Sequence, residues 1–436
     1  MSGEPRRHRV QLAVIGSGLA GCAAALFALE RGLTTAQVGH SGALAYTSGH
    51  LDLLGVLDGR VVDDPWSALG ELQRRQPGHP LARIAPETVR HAFHRFTAAL
   101  SSLGIGYTTP GDRNLRAPTP AGTVKPTLSL PCTMAAGVTA ARERSATLVV
   151  DFAGLEGFSA RQLVANLGPR WPGLRCTRLD FPGMEDGGVL YPEAMARALE
   201  VPATRERLAG RIRAVLEGAS CVGLPAILGI HRPDRVHRAL QRALGATLFE
   251  VPTMPPGVAG IRLQEAFEQA LPARGLTLVS RQKVTRLQLG KEEATLQLHD
   301  SYGPLEIHAG AVLLATGRFL SGGLVADRDG IREPLLDLPV QQPPGRDAWH
   351  RDDYLAPEGH PVNGAGIRCD RWLRPLNPDG RVVHPRLFAA GILLAGQDWV
   401  RQRCGAGVAI ATAFAAVQAA ARHLGPGDGD STPNPG

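Results

Sequence analysis

The sequence predicts an α/β protein: a Rossmann-like core assembled from separated stretches of chain, with a second, α+β domain inserted between them. Three observations carry this. Near the N-terminus an apolar run, Val10 to Ile15, meets Gly16-Ser17-Gly18-Leu19-Ala20-Gly21 and then an Ala/Leu-rich stretch. In mid-chain a second apolar run ends in Ala315-Thr316-Gly317. Towards the C-terminus a third, Arg386 to Ala390, ends at Gly391 and leads through Gly405 and Gly407 into an Ala-rich stretch.

Val10 to Ile15 reads as a short buried strand, Cys22 to Arg31 as a helix stopped by Gly32, and Thr34 to Val38 as the next strand. Strand, GxGxxG, helix and strand make the phosphate-binding βαβ unit. Gly16 serves the tight turn, Gly18 the close approach of backbone to a diphosphate, and Gly21 the packing of helix on strand. The helix start then turns its free N–H groups on the phosphate. In such units an acid about 20 positions on takes the adenosine ribose hydroxyls. Here that place falls on Gly39, followed by His40. The motif predicts a phosphate-binding turn and leaves a full adenine dinucleotide open.

Residues 41–55 form a polar, glycine-containing loop entering an apolar segment. It reads either as a surface loop or as backbone wrapping a flat ring, with Thr47, Ser48 and Gly49 as close-approach donors. From Asp63 to about Leu100 the spacing of Trp66, Leu69 and Leu72, then Val89, Phe93, Phe96 and Leu100, is helical. Residues 110–131 read as turns or a hairpin. Strands are expected at Thr147–Val150, Cys221–Leu224 and Thr247–Val251. Helices are expected at Ser159–Asn166, Tyr191–Val201, Ala203–Leu216 and Pro233–Leu244. An amphipathic helix (Ile261–Leu271), a strand (Thr277–Val284), a hairpin over 284–298 and a further strand at 305–308 precede the buried strand Ala311–Leu314. The last helix runs to about His423. Because the three motifs must meet around one ligand, the expected core is 1–58, 250–322 and 386–425. The second domain is then 59–249 with a return segment at 323–385, and 426–436 is a disordered tail.

The chain has 436 residues, 44% hydrophobic and 20% charged, ordinary values for a globular protein. The net charge of +7 is carried almost wholly by scattered Arg, and aromatics are 5%. That pattern argues against nucleic acid and leaves anionic ligands open. Six cysteines show no CxxC, zinc or iron–sulfur spacing, so reduced thiols are expected and no metal site. Asp352-Asp353 has no ligand set around it and reads as a solvated turn. The N-terminus runs directly into the first strand, so no signal peptide is expected. No apolar run reaches the length of about 20 residues needed for a membrane span; 407–421 comes nearest.

In that order the three motifs resemble the two-dinucleotide-binding-domain flavoproteins, the broad group that contains fumarate reductase flavoprotein subunits. The resemblance implies pyrophosphate at Gly16, Ser17, Gly18 and Gly21, and Thr316 and Gly317 beside the cofactor. Gly391, Gly405 and Gly407 would line the flavin, where a helix N-terminus stabilises negative charge near N1. That group often has Glu after the glycine matching Gly391; here Ile392 stands there.

Longer strings narrow the resemblance: 48–54 (SGHLDLL), 252–257 (PTMPPG), 260–264 (GIRLQ), 319–326 (FLSGGLVA), 330–334 (GIREP) and 404–407 (CGAG). They look like the B subunits of the anaerobic glycerol-3-phosphate dehydrogenases. The resemblance implies two partners in one complex: a catalytic FAD-bearing A subunit, together with an iron–sulfur C subunit that docks at the membrane. The reaction is then oxidation of sn-glycerol 3-phosphate to dihydroxyacetone phosphate, with electrons passing to the quinone pool. The resemblance further implies FMN in this chain, with FAD the alternative, and a cytoplasmic location peripheral to the inner face of the membrane. Two other classes stay open: a stand-alone FAD-dependent oxidoreductase of the fumarate reductase or aspartate oxidase type, and a non-catalytic module.

The residues themselves identify no catalytic acid or base. His50 reads as a proton-transfer or flavin-contact residue or as a structural hydrogen bond, and Arg332-Glu333 as a buried ion pair or an anion site. Arg401 and Arg403 read as charge-neutralising or solvated, and Cys404 as a packing residue rather than a redox thiol, with no partner Cys nearby in sequence. Without a substrate constellation, the expected role is an electron relay.

Overall fold

The computed structural model describes residues 4–40 and 43–425. The tail expected at 426–436 lies outside the described residues. In chain order the principal elements begin with β1 (Arg6–Ile15), α1 (Leu19–Leu29) and β2 (Thr35–Gly39). Next come α2 (Cys132–Glu143), β3 (Thr147–Phe152), α3 (Ala160–Leu167), β4 (Leu174–Leu179), β5 (Cys221–Pro225), α4 (Pro233–Leu244) and β6 (Thr247–Val251). After α5 (Val258–Ala273) follow β7 (Thr277–Ser280), β8 (Arg286–Leu289), β9 (Ala294–Asp300) and β10 (Gly303–Leu314). The chain closes with β11 (Leu387–Ala389), α6 (Trp399–Gln402) and α7 (Gly405–Leu424).

The described residues form two compact units: 4–40, 69–92 and 270–425 make the first, and 43–68 with 93–269 the second. The first unit is organised by one sheet of order β7-β2-β1-β10-β9-β8, with β11 also on β10. Strands β7, β2, β1, β10 and β11 run parallel; β9 and β8 fold back antiparallel as a meander. The two strands expected at 305–308 and 311–314 are one continuous strand, whose first part pairs with β9 and whose last residues pair with β11. The parallel register is what matters for function. Ile15 lies opposite both Val38 and Leu314, and Leu314 opposite Ala389. The C-terminal ends of four parallel strands are therefore level.

Helices α1 and α7 pack on this sheet. Both are almost wholly buried, which suits their Ala-rich composition, because small side chains let helix and sheet approach closely. Phe27 and Phe414 meet edge to face with ring centroids 5.0 Å apart. By length and apolar content α7 could cross a bilayer, yet most of it is buried inside this unit.

The second unit carries a parallel sheet of order β6-β5-β3-β4. Leu148, Val150, Phe152, Val222, Leu224 and Leu248 face one side of it, and Val149, Phe249 and Val251 the other. Strand β4, Leu-Arg-Cys-Thr-Arg-Leu, is not among the strands expected from the sequence: it is a half-exposed edge strand whose polar residues hide its period.

The unit boundaries differ from those expected at four places. Segments 43–58 and 250–269 belong to the second unit, and segments 69–92 and 323–385 belong to the first. The reason for the last difference is a set of backbone bonds that stitch 366–375 to the strand β11 region. Ala389 N–H donates to Leu373 O at 2.9 Å, and Ala395 N–H to Ile367 O at 3.0 Å. Such bonds leave no trace in local sequence pattern.

Candidate functional site

The level strand ends of the first unit bring the three sequence motifs to one edge. Gly16 N–H donates to Val38 O (2.7 Å), Ala315 N–H to Ile15 O (2.8 Å) and Ala390 N–H to Leu314 O (2.9 Å). Each turn thus starts where its strand meets the next. Open α/β sheets bind ligands beyond these carboxyl ends.

The turns also touch one another. Gly16 has φ +129°, and a Cβ there would lie 2.2 Å from Ala315 O, so the first and second motifs close on each other with no room for a side chain. A Cβ at Gly21 would lie 2.1 Å from Gly16 O, which fixes the approach of α1 to its turn. Gly391, at φ +79°, sits against Ala20 of α1, where a Cβ would come within 2.7 Å. Gly16, Ser17, Gly18, Gly21, Thr316, Gly317, Gly391, Gly405 and Gly407 all belong to this unit. Thr47, Ser48 and Gly49 belong to the second unit, where Gly49 packs near Ala259 and its carbonyl accepts from Tyr107 Oη at 2.8 Å.

Supporting side chains, invisible to motif reading, hold this edge. Gln37 on β2 is buried and donates to Gly16 O at 2.9 Å. Thr412 on α7 accepts the Gly391 N–H at 2.8 Å. Ser321 donates to Thr316 O at 2.6 Å, folding the Phe319–Gly323 string back over the second motif. Arg318 donates to carbonyls of the segment after Gly391. No sequence signal marks these four, because their partners lie outside any local pattern.

The donor set fits a phosphate-bearing flavin. Helices α1 and α7 begin at Gly18 and Cys404 with no side chain capping the first turn, so their N–H groups and partial positive charge are available to an anion. The Thr316 hydroxyl is buried without a hydrogen-bond partner among the described residues, and buried polar groups normally have one. The glycine cradle and this hydroxyl are what the phosphate and ring edge of a flavin would satisfy.

Gly39 is closed to the acid that would hold an adenosine ribose. A Cβ there would lie 2.3 Å from the Ser17 Cβ, so a carboxylate cannot be placed without moving the phosphate turn itself. His40 points its Nδ1 toward Arg281 O at 3.4 Å instead.

The second unit has a nucleotide-type sheet order of its own, 2-1-3-4 in chain order, whose ligand crevice would lie at β3/β5. Its phosphate seat is filled from within. Asp151 accepts from Ala160 N–H at the start of α3 (3.2 Å), and Ser159 caps Gln162 N–H (3.3 Å). A phosphate there would meet a carboxylate. This unit is instead knit by a buried ion pair: Arg262 donates to both Glu250 oxygens at 2.7 and 2.8 Å, and Thr133 and Leu228 N–H also donate to that carboxylate.

The remaining sequence candidates resolve as follows. His50 is buried with neither ring nitrogen hydrogen-bonded among the described residues, and burial, with the Lys125 charge second, lowers its pKa to about 3. Lys125 itself pairs with Asp52 at 2.6 Å. Arg332 and Glu333 do not pair with each other: exposed Arg332 pairs with Asp327 at 3.6 Å, while buried Glu333 accepts from Leu335 and Leu336 N–H as a turn lock. Arg401 faces Asp398 at 3.7 Å, within α6, and Arg403 ends that helix with a left-handed φ of +50°. Cys404 is fully buried, its Sγ 4.0 Å from His79 Nε2. Asp353 accepts from Leu355 N–H as a local turn. Among the described residues no group of three or more His, Cys, Asp and Glu could hold a metal.

Residues 11–408 match the family model of an FAD binding domain. The fold is therefore that of a flavin-binding oxidoreductase. The chain is 34% identical over 432 residues to the B subunit of the probable anaerobic glycerol-3-phosphate dehydrogenase of Halobacterium salinarum, across 95% of this chain and 98% of that one. It is 32% identical over 420 residues to the B subunit of the anaerobic glycerol-3-phosphate dehydrogenase of Vibrio cholerae serotype O1, across 93% and 95%. This chain belongs to the family of anaerobic glycerol-3-phosphate dehydrogenase B subunits. Among solved structures, 3-ketosteroid delta1-dehydrogenase of Sterolibacterium denitrificans superposes with a TM-score of 0.43 at 13% identity, over 95% of this chain and 99% of that one.

Proposed function

We propose that this chain is the electron-relaying flavin subunit of a respiratory glycerol-3-phosphate dehydrogenase. The complex oxidises sn-glycerol 3-phosphate to dihydroxyacetone phosphate. The secondary alcohol loses two electrons and two protons, and a quinone takes up the same number to become quinol. Beside family membership over nearly the full length, one observation carries the reading: Ile15, Val38, Leu314 and Ala389 end level, which brings three glycine turns to one sheet edge.

A bound flavin supplies a two-electron acceptor that can pass electrons on to a partner. Toward it, the backbone of Gly16 to Gly18 and the α1 start would hold phosphate, Thr316 and Gly317 would serve the ring, and Gly391 with the α7 start would stabilise negative charge. We take the cofactor to be FMN, with FAD the alternative: its single phosphate needs the first turn alone, and the closed Gly39 position removes the usual grip on adenosine.

Electrons have to leave through partners. The sequence has no cysteine spacing for an iron–sulfur cluster. The FAD-bearing A subunit would deliver electrons and the iron–sulfur C subunit would carry them to quinone, with the assembly peripheral to the inner face of the cell membrane. The test is anaerobic mixing of the isolated chain with glycerol 3-phosphate while its flavin absorbance is followed, and weighing of the flavin released on denaturation. Bleaching only after the catalytic FAD-bearing partner is added, and the mass of FMN, are expected. Prompt bleaching without that partner would overturn the relay, and the mass of FAD would overturn the FMN assignment.

A further inference from the structure

Arg318 follows Thr316–Gly317 directly and is 8% exposed. Among the described residues its guanidinium donates to main-chain oxygens alone. Nε donates to Ile392 O at 2.7 Å, one terminal nitrogen to Asn363 O, and the other to Gln397 O at 3.3 Å and Leu394 O at 3.5 Å. Among the described residues it makes no ion pair. The carboxylate that attracts it, Asp398, is shared with the Arg401 guanidinium at 3.7 Å, so one anion faces two cations; its oxygens also accept Arg401 N–H at 3.2 Å and Asn363 Nδ2 at 2.8 Å.

A buried cation is normally paired, because desolvation disfavours the charged form. Burial does lower the Arg318 pKa, to about 10, which still leaves it cationic at neutral pH. Carbonyl dipoles satisfy its donors but do not cancel its charge. The guanidinium is tied to two of the glycine motifs at once: it sits beside Thr316–Gly317, and Ile392, whose carbonyl takes its Nε–H, follows Gly391. Ile392 brings no carboxylate to neutralise it.

We propose that Arg318 is a positioning residue for the flavin site, whose charge, only partly offset by the shared Asp398, favours the reduced, anionic cofactor over the oxidised one while its fork fixes the 391–397 turn. The inference rests on the flavin reading of this edge. It separates two roles. A strut matters through its hydrogen bonds alone; a charge acts through the field in a partly dry site, where one unit charge is worth about a tenfold change in relative affinity.

The full-length chain, purified with its flavin, allows the test. Flavin content, thermal melting and the flavin midpoint potential are measured for wild type, R318K and R318M, with R318Q replacing R318M should the latter not fold. The neutral variants are expected to lower the affinity ratio of reduced to oxidised flavin about tenfold, about 30 mV on a two-electron couple. R318K should keep most of the wild-type potential while melting earlier, because it keeps the charge but loses the fork. Equal potentials in all variants, with stability losses only, would reduce Arg318 to a strut and overturn the proposal. Wild-type protein without flavin would instead overturn the functional reading beneath it, an outcome the flavin content identifies separately.

Discussion

Two neighbouring glycines of the first motif are constrained for different reasons, which a pair of substitutions separates. Gly16 has a positive φ and no space for a Cβ, so Gly16→Ala should strain the fold itself and lower the melting temperature even without flavin. Gly18 is the residue before α1, with φ −77° and ψ −174°, a conformation open to every residue. Asp at that position is a good helix cap, so Gly18→Asp should gain a few tenths of a kcal/mol in the flavin-free protein. Its carboxylate would nevertheless stand where a phosphate is expected, and repulsion should abolish flavin retention. Thermal melting of the flavin-free chain and flavin content of the purified variant check both halves. A stable variant that remains fully yellow would refute the placement of phosphate at this turn.

Among the elements, α5 and β6 are joined by the Arg262–Glu250 pair, and both side chains are fully buried. Burial alone would raise the Glu250 pKa, but the Arg262 charge and the surrounding hydrogen bonds hold it below its ordinary value. Truncating one partner is therefore harsher than replacing both. Arg262→Met should destabilise the second unit by about 3–5 kcal/mol, because it strands a buried carboxylate. Adding Glu250→Leu should recover more than half of that loss. Denaturant unfolding of the single and double variants measures the difference; additive losses would mean that the pair contributes little. Since Glu250 titrates below its unfolded value, its share of stability is present above about pH 4.3 and is lost only as pH falls through the lower folded pKa.

For the molecule as a whole, the more accessible acid sensitivity comes from two buried histidines, one in each unit. His50 is lowered to about 3 and His79 to about 4, both chiefly by burial. Below about pH 6.5 the unfolded chain binds protons that the folded chain refuses, so stability falls as pH falls from there towards the two folded values. Each should remove about 2 kcal/mol of stability between about pH 7.5 and pH 5. Melting scans at the two pH values should show the loss in wild type, and about half of it in His50→Gln or His79→Gln. An unchanged loss in both variants would show that other groups govern the acid response.

Much of this was legible in the chain. Val10 to Val38 showed its strand, turn and helix because each depends on neighbours within a few residues, and the Ala-Thr-Gly and Phe-Ala-Ala-Gly strands announced themselves by apolar runs ending in small residues. Helix Pro233–Leu244 was found at its observed limits, since its apolar stripe recurs at helical spacing. The missing acid at Gly39 was visible too, but the reason for it, the Ser17 Cβ in its place, was not. Only the tertiary structure decided that Ile15, Val38, Leu314 and Ala389 end level, that 323–385 joins the first unit, and that Gln37, Thr412 and Arg318 brace the glycine turns. Local pattern reports which face of an element is apolar. Register, and the hydrogen bond from the Arg318 side chain to a carbonyl 74 residues away, depend on chain closure in three dimensions, and no periodicity encodes them.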